Sequence, residues 1–281
     1  MCRYQLLMTP SLLQMKSISI LGCGWLGLPL AKALLENGYA VKGSTTSIEK
    51  IPILENSGIS GFLIALLANK TQGDLTAFLT NTEMLIIDIP PKLRGSNTES
   101  FVAKIQMLLP FIEASSVKKV LFVSSTSVYA DDLAVVDEAT IPRPETEAGK
   151  QLLEAEALLQ NNKNFETTVV RFGGLIGFNR HPVHFLAGRT NLENPEGPIN
   201  LIHQKDCIGI ILAIIAQAAW NQTFNAVAPF HPTRFHYYRE KAAELNLALP
   251  EFDTMKPSVG KTILSDQLKS VLGYDFLRAN L

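Results

Sequence analysis

The stretch ISILGCGWLGLPLA, residues 18–31, limits the fold more than any other part of the chain. A short apolar run, Ser17–Leu21, suits a buried strand. Gly22-x-Gly24-x-x-Gly27 follows it. Leu26, Leu30, Ala33 and Leu34 then recur at helical spacing as far as Asn37-Gly38, a helix stop. YAVKGS (39–44) reads as a second strand. Strand, glycine turn, helix and strand in this order form the dinucleotide-binding fingerprint. Gly22 allows the tight turn, Gly24 lets backbone approach a pyrophosphate, and Gly27 lets helix pack on strand. Trp25 and Leu26 complete the turn, Trp25 serving packing as well as loop contact. The helix N-terminus offers free N–H groups and the positive end of its dipole. Pro29, early in the helix, is expected to remove one backbone bond.

Read differently, Ile20-Leu21-Gly22-Cys23 behind a lysine resembles a lipoprotein signal, with Cys23 as the anchor. A signal needs about 7–15 uninterrupted apolar residues. Between Lys16 and Cys23 only residues 17–22 are available, and Pro10, Gln14 and Lys16 break any run from Met1. Cys23 is therefore expected to be a buried passenger of the turn. The chain of 281 residues is 47% hydrophobic and 18% charged, enough apolar material for a large core. A net charge of −1 gives no reason to expect nucleic acid or an anionic membrane as partner. The longest apolar run, 208–220, is too short to span a bilayer and contains Gln217. Cys2, Cys23 and Cys207 show no metal spacing and no disulfide framework, which suits a reducing cytoplasm. Residues 1–14 show no periodicity and are expected to be a loose extension.

NAD sites place an acid at the end of the second strand to bind the ribose 2′-OH. Here that segment is Gly43-Ser44-Thr45-Thr46-Ser47, with Lys50 a turn later and no carboxylate before Glu49. Hydroxyls and a lysine suit a 2′-phosphate, so NADP is expected through Thr45, Thr46 and Lys50, with NAD second. A plain helix cap at Thr46 or Ser47 is the competing explanation. GFLIAL (61–66), EMLIIDIPP (83–91), KKVLFVSS (118–125) and ETTVVRF (166–172) read as further strands, with helices near 97–115 and over 149–160. The pattern predicts an α/β fold: a Rossmann-type doubly wound parallel sheet with a small C-terminal α+β lobe. The expected division is an extension at 1–14, a nucleotide-binding domain at 15–172 and a substrate lobe at 173–281, interleaved with the first. Ligands bind beyond the carboxyl ends of such strands. Asp88-Ile89-Pro90, Ser124 to Tyr129 and Arg171 to Gly177 should therefore face one cleft, with Pro90 against the cofactor.

VLFVSSTSVYA, followed by DEATIPRPETEAGKQLLEAEALL, resembles the core of an extended short-chain dehydrogenase/reductase, the group of NAD-dependent nucleotide-sugar epimerases and dehydratases. VVRFGGLIG and INLIHQKDCIGIILAII resemble later motifs of that group. With GCGWLG, RHPVHFLAGR and HPTRFHYY, the chain is similar to an atypical, YeeZ-like branch over residues 16–281. The resemblance implies a sugar-nucleotide-like small-molecule substrate, no nucleic acid or membrane partner, and a homodimer as one arrangement open to it.

That group works with Ser, Tyr and Lys. Carried over, Ser125 takes the Ser place and Lys150 the Lys place, but the Tyr place is Thr146. An aliphatic hydroxyl ionises far above a phenol, so Thr146 is not the usual acid/base. Tyr129 is the leading substitute on the same rim, against a packing role. Asp131, Asp132, Asp137, Glu138, His181 and His184 are further substitutes, each with a plain structural alternative. His203 and Asp206 are expected to position the lobe. Lys150 keeps a ribose-binding role without the phenol. Leu21, where the group's commoner GxxGxxG has its first glycine, is a second departure. The leading expectation is an NAD(P)-dependent oxidoreductase or epimerase with a non-standard acid/base. A dinucleotide sensor without chemistry is second, and a β-hydroxyacid dehydrogenase third, because the last hundred or so residues do not read as a helical bundle.

Overall fold

A computed structural model describes residues 16–91, 93 and 99–281. The expected extension at 1–14 lies outside the described residues. Seven parallel strands form the central sheet: β1 (Ser17–Leu21), β2 (Ala40–Thr45), β3 (Ser60–Leu63), β4 (Met84–Ile87), β5 (Lys119–Ser125), β6 (Glu166–Phe172) and β7 (Thr223–Ala226). Their spatial order is β3-β2-β1-β4-β5-β6-β7. The sheet reverses direction of growth between β1 and β4, the crevice where such folds bind ligands.

Helices α1 (Gly27–Glu36), α2 (Phe101–Glu113), α3 (Glu147–Gln160) and α4 (Gln204–Ala216) cover it, as does α6 (Asp266–Leu272), while α5 (Arg234–Glu244) packs in a separate small unit. Strand residues alternate between two cores because successive side chains point to opposite faces. Ile18, Ile20, Met84 and Ile86 pack against α1, α4 and α6 through Leu30, Leu34, Ile210, Ile214 and Leu268. Leu85, Ile87, Val120 and Phe122 pack against α2 and α3 through Phe101, Ile105, Leu152 and Leu159. With both faces covered, the central strands read as continuous apolar runs.

Several local expectations change. Pro29 is the third residue of α1, where the N–H has no intrahelical partner in any case, so it removes nothing. The run 61–66 breaks at Ile64, whose N–H bonds Thr45 O; Ala65–Leu66 then pairs antiparallel with Thr71–Gln72. Helix α3 begins two residues before the expected start, with Thr146 as its cap.

After β6 the chain makes a second small unit. Gly174–Ile176 pairs parallel with Leu201–His203, and Ile176, Val183, Ile199, Tyr237 and Tyr238 form a third core with α5. The chain then returns to the main sheet as β7, in register with β6. Thr262–Ile263 pairs with Val135–Val136, joining the late chain to the loop after β5.

Candidate active site

The glycine turn is shaped by close backbone packing. Gly22 has φ 110°, and a Cβ there would lie 2.2 Å from Asp88 O, so only glycine fits. A Cβ on Gly27 would lie 2.2 Å from Gly22 O, which lets α1 start directly on the turn. A Cβ on Gly24 would meet nothing within 4 Å, leaving the outer face of the turn open to a ligand. Gly22 N–H bonds Ser44 Oγ (3.0 Å) and Cys23 N–H bonds Ser44 O (2.7 Å), tying the turn to β2. Cys23 is buried with its sulfur against Gly43, where a Cβ would come within 2.5 Å. Burial, and then the nearby Asp88 carboxylate, push its thiol up to about 12. A sulfur enclosed in this way has no room for a lipid.

The Asp88 carboxylate stands beside the turn. It accepts a hydrogen bond from Gly27 N–H, yet burial pushes its pKa up to about 7 against that bond and the charge of Arg180. Trp25 lies on the outer side. Its indole N–H donates to Asn179 Oδ1 (3.0 Å), its carbonyl accepts from Gln204 Nε2 (2.6 Å), and Arg180 sits over its ring at 5.0 Å. Trp25 thus joins the glycine turn to the later part of the chain. Leu26 is buried in the core at the start of α1.

At the end of β2, Thr45 is buried and its hydroxyl accepts from Ser47 N–H (3.2 Å). Thr46 and Lys50 are exposed there, and Pro90 is exposed after β4. Glu49 accepts a bond from Ser47 Oγ (2.7 Å), and that bond holds its carboxyl below the usual range.

A cleft of about 340 Å³ opens beyond β5 and β6. Ser125, Thr126, Ser127 and Thr146 line it together with Asn200, Arg234 and Lys261. The Ser125 hydroxyl accepts from Ser127 N–H (3.2 Å), and that of Thr146 from Gly149 N–H (3.1 Å) as the α3 cap. Lys150 is exposed on the first turn of α3 and is not one of the cleft-lining residues described. A larger groove of about 520 Å³ lies at the opposite, amino ends of β4 and β5 and holds no ionisable side chain.

Tyr129 is among the residues that line the cleft, but its phenol turns inward. The side chain is buried, its oxygen accepts from Arg171 Nη1 (2.7 Å), and it meets Asn225 Oδ1 at 3.0 Å. Burial raises its pKa against the pull of Arg171. The Arg171 side chain likewise turns inward, forked onto the Glu156 carboxylate at 2.6–3.2 Å, with Ser124 Oγ on the same carboxylate. Ser124, Arg171 and Asn225 are register neighbours on β5, β6 and β7, so one polar row crosses three strands. Of the segment 171–177 expected in the cleft, Gly173 and Gly174 line it.

Most of the other substitutes have structural partners. Asp132 pairs with Arg143, Asp137 bonds Thr140, and Glu138 accepts from Asn225 N–H. His181 Nδ1 accepts from Val183 N–H (3.1 Å), which leaves Nε2–H for Tyr237 Oη (2.9 Å). Burial, then Lys241, lower its pKa to about 4, so the ring is neutral. His184 is exposed. His203 caps α4, and buried Asp206 accepts from Tyr274 Oη, Leu277 N–H and Arg278 N–H, anchoring the last residues.

Asp131 differs. It pairs with Lys261, a buried lysine whose Nζ also donates to Tyr129 O at 2.8 Å. Among the described residues these two acceptors take two of its three protons, and both Lys261 and Asp131 line the cleft. Sequence reasoning missed Lys261, Arg234 and Glu156. Lys261 reaches the cleft only because Thr262–Ile263 pairs with Val135–Val136, a contact without a local signature.

The chain matches known proteins along nearly its whole length. Protein YeeZ of Escherichia coli (strain K12) is 33% identical over 265 residues, covering 93% of this chain and 96% of that one. The chain belongs to the YeeZ family. No protein-family profile matches it. Among solved structures, a putative NAD-dependent epimerase/dehydratase from Methylobacillus flagellatus is 26% identical with a TM-score of 0.74, covering 95% of this chain and 94% of that one. UDP-glucuronic acid 4-epimerase from Bacillus cereus, solved with NAD, is 18% identical with a TM-score of 0.75, covering 92% and 91%. At that identity the second shows the fold alone. The YeeZ-family chain therefore has a Rossmann-like fold, the one these solved structures share. No helix among its described residues is long and apolar enough to cross a membrane.

Proposed function

We propose that the protein is an NADP-dependent oxidoreductase or epimerase acting on a sugar-like or nucleotide-linked substrate, with a proton donor other than the usual tyrosine. The observation that carries this reading is the cleft itself, which is lined both by Ser125 and Thr146, in the family's Ser and Tyr places, and by the Lys261–Asp131 pair. The open face at Gly24 and the N–H groups of the turn fit a dinucleotide's pyrophosphate. Exposed Thr46 and Lys50, without an acid on β2, favour the 2′-phosphate.

A dinucleotide held at the glycine turn would supply or accept a hydride. Ser125 holds the substrate oxygen by hydrogen bond, and the remaining proton of Lys261 serves that oxygen, with Asp131 stabilising the ammonium between turnovers. Lys150 holds the nicotinamide ribose. Tyr129 keeps the cleft floor in shape through Arg171 and moves no proton. A dinucleotide sensor is the second reading, favoured by the capping role of Thr146 in the tyrosine's place.

Calorimetric titration with NADP⁺ and NAD⁺ tests the cofactor. NADP⁺ is expected to bind more tightly, Lys150→Ala to weaken binding, and Gly24→Val to abolish it; an NAD⁺ preference overturns the assignment. Turnover is tested with UDP-glucose, UDP-glucuronic acid and UDP-N-acetylglucosamine. Lys261→Met is expected to lower kcat by about 10²–10⁴-fold, as for a positioned acid–base group. Dinucleotide bound without turnover of any of these sugars favours the sensor.

A further inference from the structure

The turn 177–180 reaches across to the glycine-rich turn although the two are far apart in sequence. It is closed by paired backbone bonds, Gly177 N–H to Arg180 O (2.8 Å) and Arg180 N–H to Gly177 O (3.2 Å). Trp25 seats it. A Cβ on Gly177 would lie 2.8 Å from Trp25 Cζ2, so glycine is what lets the indole come this close to the turn. Asn179 accepts the indole N–H, and the Arg180 guanidinium covers the ring. Arg180 is exposed, and its charge acts on Asp88 beside Gly27. A cation is thus held beside the glycine turn by a side chain of that turn.

We propose that Arg180 is a phosphate-binding residue of the dinucleotide site, supplied by the lobe and positioned by Trp25. The ligand class is a pyrophosphate diester, and the inference rests on the cofactor reading above. Guanidinium geometry suits two phosphate oxygens at once. Binding would shift the guanidinium relative to the indole beneath it, so the environment of Trp25 reports on the phosphate contact.

The test uses the full chain with Trp220→Phe, which leaves Trp25 as its single tryptophan. NADP⁺ and ADP-ribose, titrated by calorimetry and by tryptophan fluorescence, are the probes. Both are expected to bind and change the Trp25 emission. Arg180→Met, which keeps the aliphatic stem, is expected to weaken both at least tenfold and suppress the emission change. Arg180→Lys is expected to restore part of the affinity and to show a stronger salt dependence than Arg180→Met. Arg180→Met binding within twofold of the parent overturns the proposal while leaving the cofactor reading intact. So does equal loss in Arg180→Lys and Arg180→Met without a difference in salt dependence. If the parent binds neither probe, the cofactor reading fails and this proposal falls with it.

Discussion

Asp88 ties proton binding to stability at a single residue. Its carboxyl holds a proton to about pH 7 in the folded chain, against 3.8 when unperturbed. Between these values the unfolded chain binds fewer protons than the folded one, so this residue's contribution to stability falls as pH rises from about 4 through about 7. Its facing groups are Gly27 N–H, the Cys23 thiol, the Cys207 thiol and Arg180. Burial keeps both thiols neutral across that range, and arginine does not titrate. Asp88→Asn is expected to gain on the parent chain in thermal melts as pH goes from 5 to 8; a gap that stays constant with pH refutes the linkage. The same scale shows what sequence hides. The glycines of the turn are visible from spacing, whereas Lys150 is singled out only by the family resemblance. The fate of Tyr129 depends on the register that lines up Ser124, Arg171 and Asn225, and cross-strand register leaves no trace within any one strand.

At the scale of elements, α3 gives the clearest test. Thr146 caps it through Gly149 N–H, and loss of such a cap costs about 0.5–2 kcal/mol. Thr146→Ala should lower unfolding free energy by that amount in denaturant titrations, with dinucleotide affinity unchanged, and Thr146→Ser should retain most of it. If Thr146→Ala leaves folding and affinity intact but removes turnover, the residue has chemistry beyond its cap. The central strands were legible because burial on both faces makes them uninterrupted apolar runs. The end of β3 was not, since Ala65–Leu66 turns into a hairpin within the same apolar run. The start of α3 was hidden for a related reason: its first residues, Glu147 and Ala148, add nothing to the apolar stripe.

For the whole molecule, β7 decides how separable the parts are. It pairs along β6 from Val169 to Phe172, and Phe224 and Ala226 lie in the same core as α1 and β1. A chain ending at residue 172 would leave β6 as an open edge with unpaired N–H and C=O groups beside exposed apolar side chains. Such a fragment is expected to be insoluble or to self-associate, as centrifugation and light scattering would show; a soluble, monomeric, dinucleotide-binding fragment would mean that β7 is dispensable. The return of the chain to its own sheet also bears on its synthesis. A chain emerging at about 5–20 residues per second leaves β6 without its neighbour until the residues through Ala226 have been made. The last strand placed is also the one that brings Asn225 to Tyr129 and Arg171, so completion of the sheet and of the cleft floor is one event on the ribosome.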